Sequence, residues 1–92
     1  MIKTYADKLT YRFCSGERVK EFQGIKDQAE RRLIILNDAT CIEDLIQLRS
    51  NRFEALHCDR DGQFSIRINE KFRICFIWKE DGAHHVEITD YH

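Results

Sequence analysis

Two arginines, Arg67 and Arg73, bracket a short polar stretch, Asn69-Glu70-Lys71, inside "FSIRINEKFRICF". A guanidinium is a rigid planar fork of N–H donors that matches phosphate geometry. If the flanking segments pair as a hairpin, the arginines lie directly across from each other, and like charges so placed destabilise a sheet. The arrangement makes sense if an anion normally sits between them, and a nucleic-acid backbone is the candidate. The last three residues, Asp90-Tyr91-His92, add a carboxylate, a phenol and an imidazole. An imidazole transfers protons near neutral pH without a large pKa shift. The competing explanation is an ordinary surface ion-pair network in which Glu54 or Glu87 neutralises the arginines. On that reading Asp90 only pairs with Arg73, Tyr91 caps the core and His92 is a frayed terminus.

The elements that must position these groups follow from periodicity. Residues 64–68 and 72–78 alternate apolar and polar positions, as half-buried strands do. A three-residue loop at 69–71 sets Ile68 opposite Phe72, Ile66 opposite Ile74 and Phe64 opposite Phe76. One face is then wholly apolar, and a one-residue slip would ruin it. The same register puts Arg67 across from Arg73 on the other face. Glu80-Asp81-Gly82 suits a second three-residue loop, with glycine in the left-handed position. It predicts pairing of Phe76 with Val86, Ile74 with Ile88 and Arg73 with Thr89, and brings Lys71 near Tyr91. The chain end then arrives beside Arg67, Lys71 and Arg73, on a face left open by helices that cover the apolar side.

The helices are expected in the first half. Ile2–Tyr5 can form an edge strand. Asp7 can cap a short helix running toward Cys14 and stopped by Ser15-Gly16. After Gly24, a stripe of Ile25, Ala29, Leu33 and Leu36 predicts a longer helix ending near Asn37. Thr40 with Glu43 reads as a capping box for a third. Past Ser50-Asn51 the character changes to strands.

Composition bounds the rest. Ninety-two residues, 42% hydrophobic and 34% charged, make one domain, 1–92. The net charge of −1 argues against a generally basic nucleic-acid-binding protein. The distribution differs: residues 49–79 carry seven basic and four acidic side chains, whereas 80–92 carry four acidic and none basic. No apolar run reaches membrane-helix length, and the first residues do not read as a signal peptide, so a cytoplasmic protein is expected. Cys14, Cys41, Cys58 and Cys75 show no Cys-x-x-Cys spacing and are expected as reduced thiols. His84-His85 lies beyond the second turn and is expected as exposed surface. No metal and no cofactor is expected.

The segment "NRFEALHCDRDGQFSIRINEKFRICFIWKEDG", followed by "VEITDYH", resembles the HigB-type toxins, the plasmid-maintenance killer proteins of the RelE/ParE superfamily. The linked features are Asp59-Arg60-x-Gly62, Ser65-Ile66-Arg67, Arg73-Ile74-Cys75-Phe76 and Asp90-Tyr91-His92. The helical half, with "AERRLIILNDAT", is similar more loosely. The resemblance implies a RelE-like α+β fold, a small curved antiparallel sheet with N-terminal helices packed on one face. It implies a toxin that cuts mRNA in the decoding (A) site of the small ribosomal subunit. No metal is needed, because the ribose 2′-hydroxyl attacks the adjacent phosphate. The implied partners are the ribosome, mRNA and a HigA-like helix-turn-helix antitoxin, with DNA met only through the antitoxin and no membrane.

Carried onto this chain, the resemblance makes Arg73 the stabiliser of the pentacovalent phosphate and Arg67 a contact to the backbone or an adjacent phosphate. Asp90 or His92 would be base or acid, and Tyr91 a stacking or hydrogen-bonding residue. Lys71, Arg60 and His57 would contact RNA. Two positions depart from the family. His57-Cys58 stands where relatives often carry Lys-Gly, and Glu54 where some active members use histidine; Glu54 is either a base or a neutraliser of an arginine. The alternative from another class is a non-enzymatic inhibitor like the gyrase-poisoning ParE toxins, in which the patch only docks a protein.

Overall fold

The structure, a computed structural model, describes residues 1–90. Helix α1 spans Lys8–Cys14, and Asp7 caps it by accepting the Thr10 amide at 2.7 Å. A 3-10 segment, Lys20–Ile25, leads directly into α2, Lys26–Asp38. Gly24 precedes α2, as expected, and lies within this 3-10 lead-in. Helix α3 spans Ile42–Gln47. Its expected capping box is replaced by a neighbouring residue: the Asp44 carboxylate, not Glu43, accepts from both the amide and the hydroxyl of Thr40, at 2.9 and 3.0 Å. Those bonds hold the Asp44 carboxyl below its ordinary pKa.

A 3-10 turn, Arg49–Asn51, precedes the sheet. Strands β1 (Glu54–Ala55), β2 (Phe64–Arg67), β3 (Phe72–Lys79) and β4 (Gly82–Asp90) form one antiparallel sheet in chain order. The first hairpin has the expected register, with Phe64 opposite Phe76, Ile66 opposite Ile74 and Arg67 opposite Arg73. Its turn is closed by Asn69, whose side-chain oxygen accepts the amides of Lys71 and Phe72, both at 2.8 Å.

The second hairpin differs near its tip. Lys79 pairs with Gly82, so the loop is the two residues Glu80-Asp81. One extra residue then enters β4 between the pairs Ile77–His84 and Cys75–Glu87, where His85 adopts φ 55. This bulge restores the register below it, so Ile74 meets Ile88 and Arg73 meets Thr89 as expected. Gly82 has φ +131, and a Cβ there would collide with the Met1 carbonyl, which accepts the Ala83 amide. The N-terminal edge strand takes the form of two isolated parallel bridges, Ile2 to Ala83 and Tyr5 to Val86. Together with the Thr10 hydroxyl, which accepts the Ile88 amide at 3.1 Å, they occupy the outer edge of β4.

The core lies between α2 and one sheet face. Ala29, Leu33 and Leu36 from the helix join Ile66, Ile74, Phe76, Val86 and Ile88 in one buried cluster. All four cysteines are free, Cys75 buried and Cys41 and Cys58 exposed. Among the described residues, no helix is long and apolar enough to cross a membrane.

Candidate functional site

Strand alternation assigns the other face two rows of side chains. Glu54, Ser65, Cys75 and Glu87 are register partners in one row, and Arg67, Arg73 and Thr89 in the next. This face is not simply open. Ser65 and Cys75 are completely buried. The loop after β1 is tied to this row: Arg60, in the 3-10 turn Cys58–Arg60, donates to Glu87 Oε1 at 2.9 Å and to Gln63 Oε1 at 3.2 Å. Its bond to Glu87 raises the Arg60 pKa, and burial pushes the Cys75 thiol up.

Each of the two arginines is held by directional bonds. Arg67 donates from Nε to the Asn69 carbonyl at 3.0 Å. Arg73 donates from Nε to Ser65 Oγ at 2.9 Å and from Nη2 to the Arg52 carbonyl at 2.8 Å. Carbonyl and hydroxyl oxygens thus offset part of the repulsion that the register creates. Arg67 and Arg73 line a cleft of about 290 Å³ together with Arg52, Glu54, Asn69 and Glu70. Three guanidinium side chains and two carboxylates in one cleft can hold an anion and take up a proton.

Of the residues expected here, Arg67, Arg73 and Glu54 are brought together. Arg60 is not a cleft-lining residue, because its guanidinium is committed to Glu87 and Gln63. Glu87 accordingly neutralises Arg60 rather than the arginine pair. His57 is exposed at the start of the Arg60 turn, outside the cleft lining. Lys71 and Asp90 stand at the end of the hairpin, with Lys71 Nζ 3.6 Å from Asp90 Oδ2. Asp90 is the register partner of Phe72, so alternation puts it on the face of Ile88 rather than that of Arg73. Tyr91 and His92 lie outside the described residues. His84 sits 2.6 Å from Asp81 and holds that carboxyl below its ordinary pKa, and no group of three or more metal-ligating side chains exists among the described residues.

Sequence reasoning gave no site role to Arg52, Ser65, Asn69 or Glu70, although Ser65 stands in the family-like stretch and Asn69-Glu70 in the turn. Arg52 left no periodic signal, because it sits in the left-handed region at the end of a 3-10 turn, outside β1. Ser65 stands two residues before Arg67 and so shares its face. A larger cavity, about 500 Å³, lies between the N-terminal segment, α1 and α2, lined by Ile2, Tyr5, Phe13 and Leu33 among others. No lysine or arginine lines it, so it does not fit a phosphate.

A family model described as a RelE-like toxin of the type II toxin-antitoxin system HigB matches residues 3–92. No curated protein matches the chain.

Proposed function

The chain belongs to the HigB-like family, the toxin component of a type II toxin-antitoxin system with an antitoxin partner, and from that premise we propose that it is a ribosome-dependent endoribonuclease. Its substrate is mRNA in the decoding site of the small ribosomal subunit. The antitoxin is of the HigA helix-turn-helix kind, and the toxin works in the cytoplasm.

The reaction is attack of a ribose 2′-oxygen on the adjacent phosphorus, with departure of the 5′-oxygen and formation of a 2′,3′-cyclic phosphate. The 2′-hydroxyl proton must go to a base, the leaving oxygen must gain a proton, and the extra phosphorane charge needs a cation. Arg73 is that cation. Its guanidinium plane is oriented by Ser65 and the Arg52 carbonyl before substrate arrives, so little reorganisation is required when charge develops. Arg67 and Arg52 flank it in the cleft and contact neighbouring phosphates. Glu54, in the same cleft, takes the 2′-hydroxyl proton. At the end of the chain, His92 supplies the proton to the leaving group and Tyr91 stacks on a base, while Asp90, on the other face, pairs with Lys71.

The observation that carries this reading is the cleft itself, in which the cross-strand pair Arg67–Arg73 and Glu54 meet. Mapping mRNA 5′ ends after brief induction tests it. Cuts inside translated codons are expected, and intact messages accompanied by broken DNA would replace the nuclease with a gyrase inhibitor.

A further inference from the structure

Arg73 donates to the Arg52 carbonyl, and the turn that carries this carbonyl is tied by hydrogen bonds to α2. Arg32 donates from Nη1 to Asn51 Oδ1 at 2.8 Å and to Ser50 Oγ at 3.1 Å. Asn51 is completely buried and donates its side-chain amide to the Leu45 carbonyl at 3.0 Å. One asparagine thereby ties α2 to the end of α3 through both ends of its amide.

The backbone around it is equally constrained. The amides of Asn51 and Arg52 close 3-10 bonds to Leu48 and Arg49, at 2.9 and 3.0 Å. The turn ends with Arg52 at φ 47 and ψ 49, in the left-handed region. A residue with a Cβ adopts that conformation only at a steric cost, and it persists where its surroundings over-determine it. The consequence is the direction of the Arg52 carbonyl, which accepts Nη2 of Arg73 at 2.8 Å.

We infer that Arg32 and Asn51 are positioning residues for Arg73: their hydrogen bond fixes the left-handed turn at Arg52, whose carbonyl sets the plane of the Arg73 guanidinium in the cleft. The inference rests on the reading of Arg73 as the cation at the reacting phosphate. Neither Arg32 nor Asn51 lines the cleft. A displacement of about 1 Å at a reacting group can cost on the order of 10²-fold in rate, which makes a distant support of this kind consequential.

The test uses the full chain and two readouts. Arg32→Ala lowers single-turnover cleavage of ribosome-bound mRNA by roughly 10- to 100-fold, leaves ribosome affinity unchanged, and Arg32→Lys recovers part of the rate. In an Arg73→Ala background, Arg32→Ala costs nothing further, because the support then has nothing to orient. Equal losses in both backgrounds would overturn the inference, as would a wild-type rate for Arg32→Ala where Arg73→Ala is impaired. The second readout is the NMR signal of the Arg73 Nη–H protons, whose bond to the Arg52 carbonyl is the one at issue, and which Arg32→Ala broadens or shifts while the Arg67 Nε–H stays in place. An unchanged Arg73 signal overturns the support whatever the cleavage assay gives. A changed signal with cleavage intact in both Arg32→Ala and Arg73→Ala upholds the support and removes Arg73 from the reaction instead.

Discussion

The two faces of the β2–β3–β4 sheet are built from alternate residues of the same strands, yet they are held by different physics. On the core face, Ile66, Ile74, Phe76, Val86 and Ile88 are buried against α2 by non-directional apolar contact. What matters there is area and fit, about 25 cal/mol per Å² removed from water. On the cleft face, Arg67, Arg73 and Arg60 are each held by one or two oriented bonds to a carbonyl, a hydroxyl or a carboxylate. The core face can lose a side chain and suffer in stability alone. The cleft face can lose one bond, keep its fold and lose its geometry.

Truncation in the core is the largest expected effect. Phe76→Ala removes a completely buried ring and is expected to cost about 3–5 kcal/mol. In a chain of this size that is a large part of the total stability. Urea unfolding measures it, and the loss of toxicity should track the loss of folded protein. Normal stability with lost cleavage would instead tie the two faces together.

The Arg60–Glu87 pair is expected to matter less, because both side chains keep about a third or a quarter of their surface in water, 33% and 26%. Arg60→Ala should cost about 1 kcal/mol, near the upper end for an exposed pair, which lowers Tm by roughly 4–8 °C in a domain of this size. It should also speed alkylation of Cys75, which is buried beneath the pair's face. An unchanged Tm and an inert Cys75 would mean that the loop after β1 is held by something else.

The smallest effect belongs to the exposed carboxyls whose pKa is depressed, Asp44 by the Thr40 amide and Asp81 by His84. A depressed pKa stabilises the fold above the unfolded aspartate value of about 3.9, and that contribution disappears as pH falls through the lower folded value. Thermal melts should therefore fall off with acid below about pH 4, and Asp44→Asn should flatten the slope. An acid slope identical in the variant would remove Asp44 from the linkage.

The contrast between the faces also explains what could be read in advance. Period-two alternation fixed the pairing of Arg67 with Arg73, and the 3.6-residue stripe of Ala29, Leu33 and Leu36 identified the buried side of α2. Both are local patterns imposed by burial. The β4 bulge was hidden because its left-handed residue is His85, a type that does not announce the conformation, while Gly82 is demanded by the nearby Met1 carbonyl. The cleft was half legible for the same reason. Arg67 and Arg73 come from paired strands, but Arg52 enters from a turn whose shape depends on Arg32, and Arg60 is drawn to Glu87 by a contact spanning 27 residues. Directional bonds between distant segments leave no periodic trace.

The most direct test of the account is the single-turnover rate of cleavage of ribosome-bound mRNA by the Arg73→Ala protein beside the intact chain. The rate should fall on the order of 10²–10³-fold, the usual cost of removing a preorganised transition-state donor. Stability should drop by only about 1 kcal/mol, since Ser65 Oγ and the Arg52 carbonyl each lose one partner. Cleavage at the intact protein's rate, with the variant folded and ribosome-bound, would contradict the assignment of this cleft to the reaction.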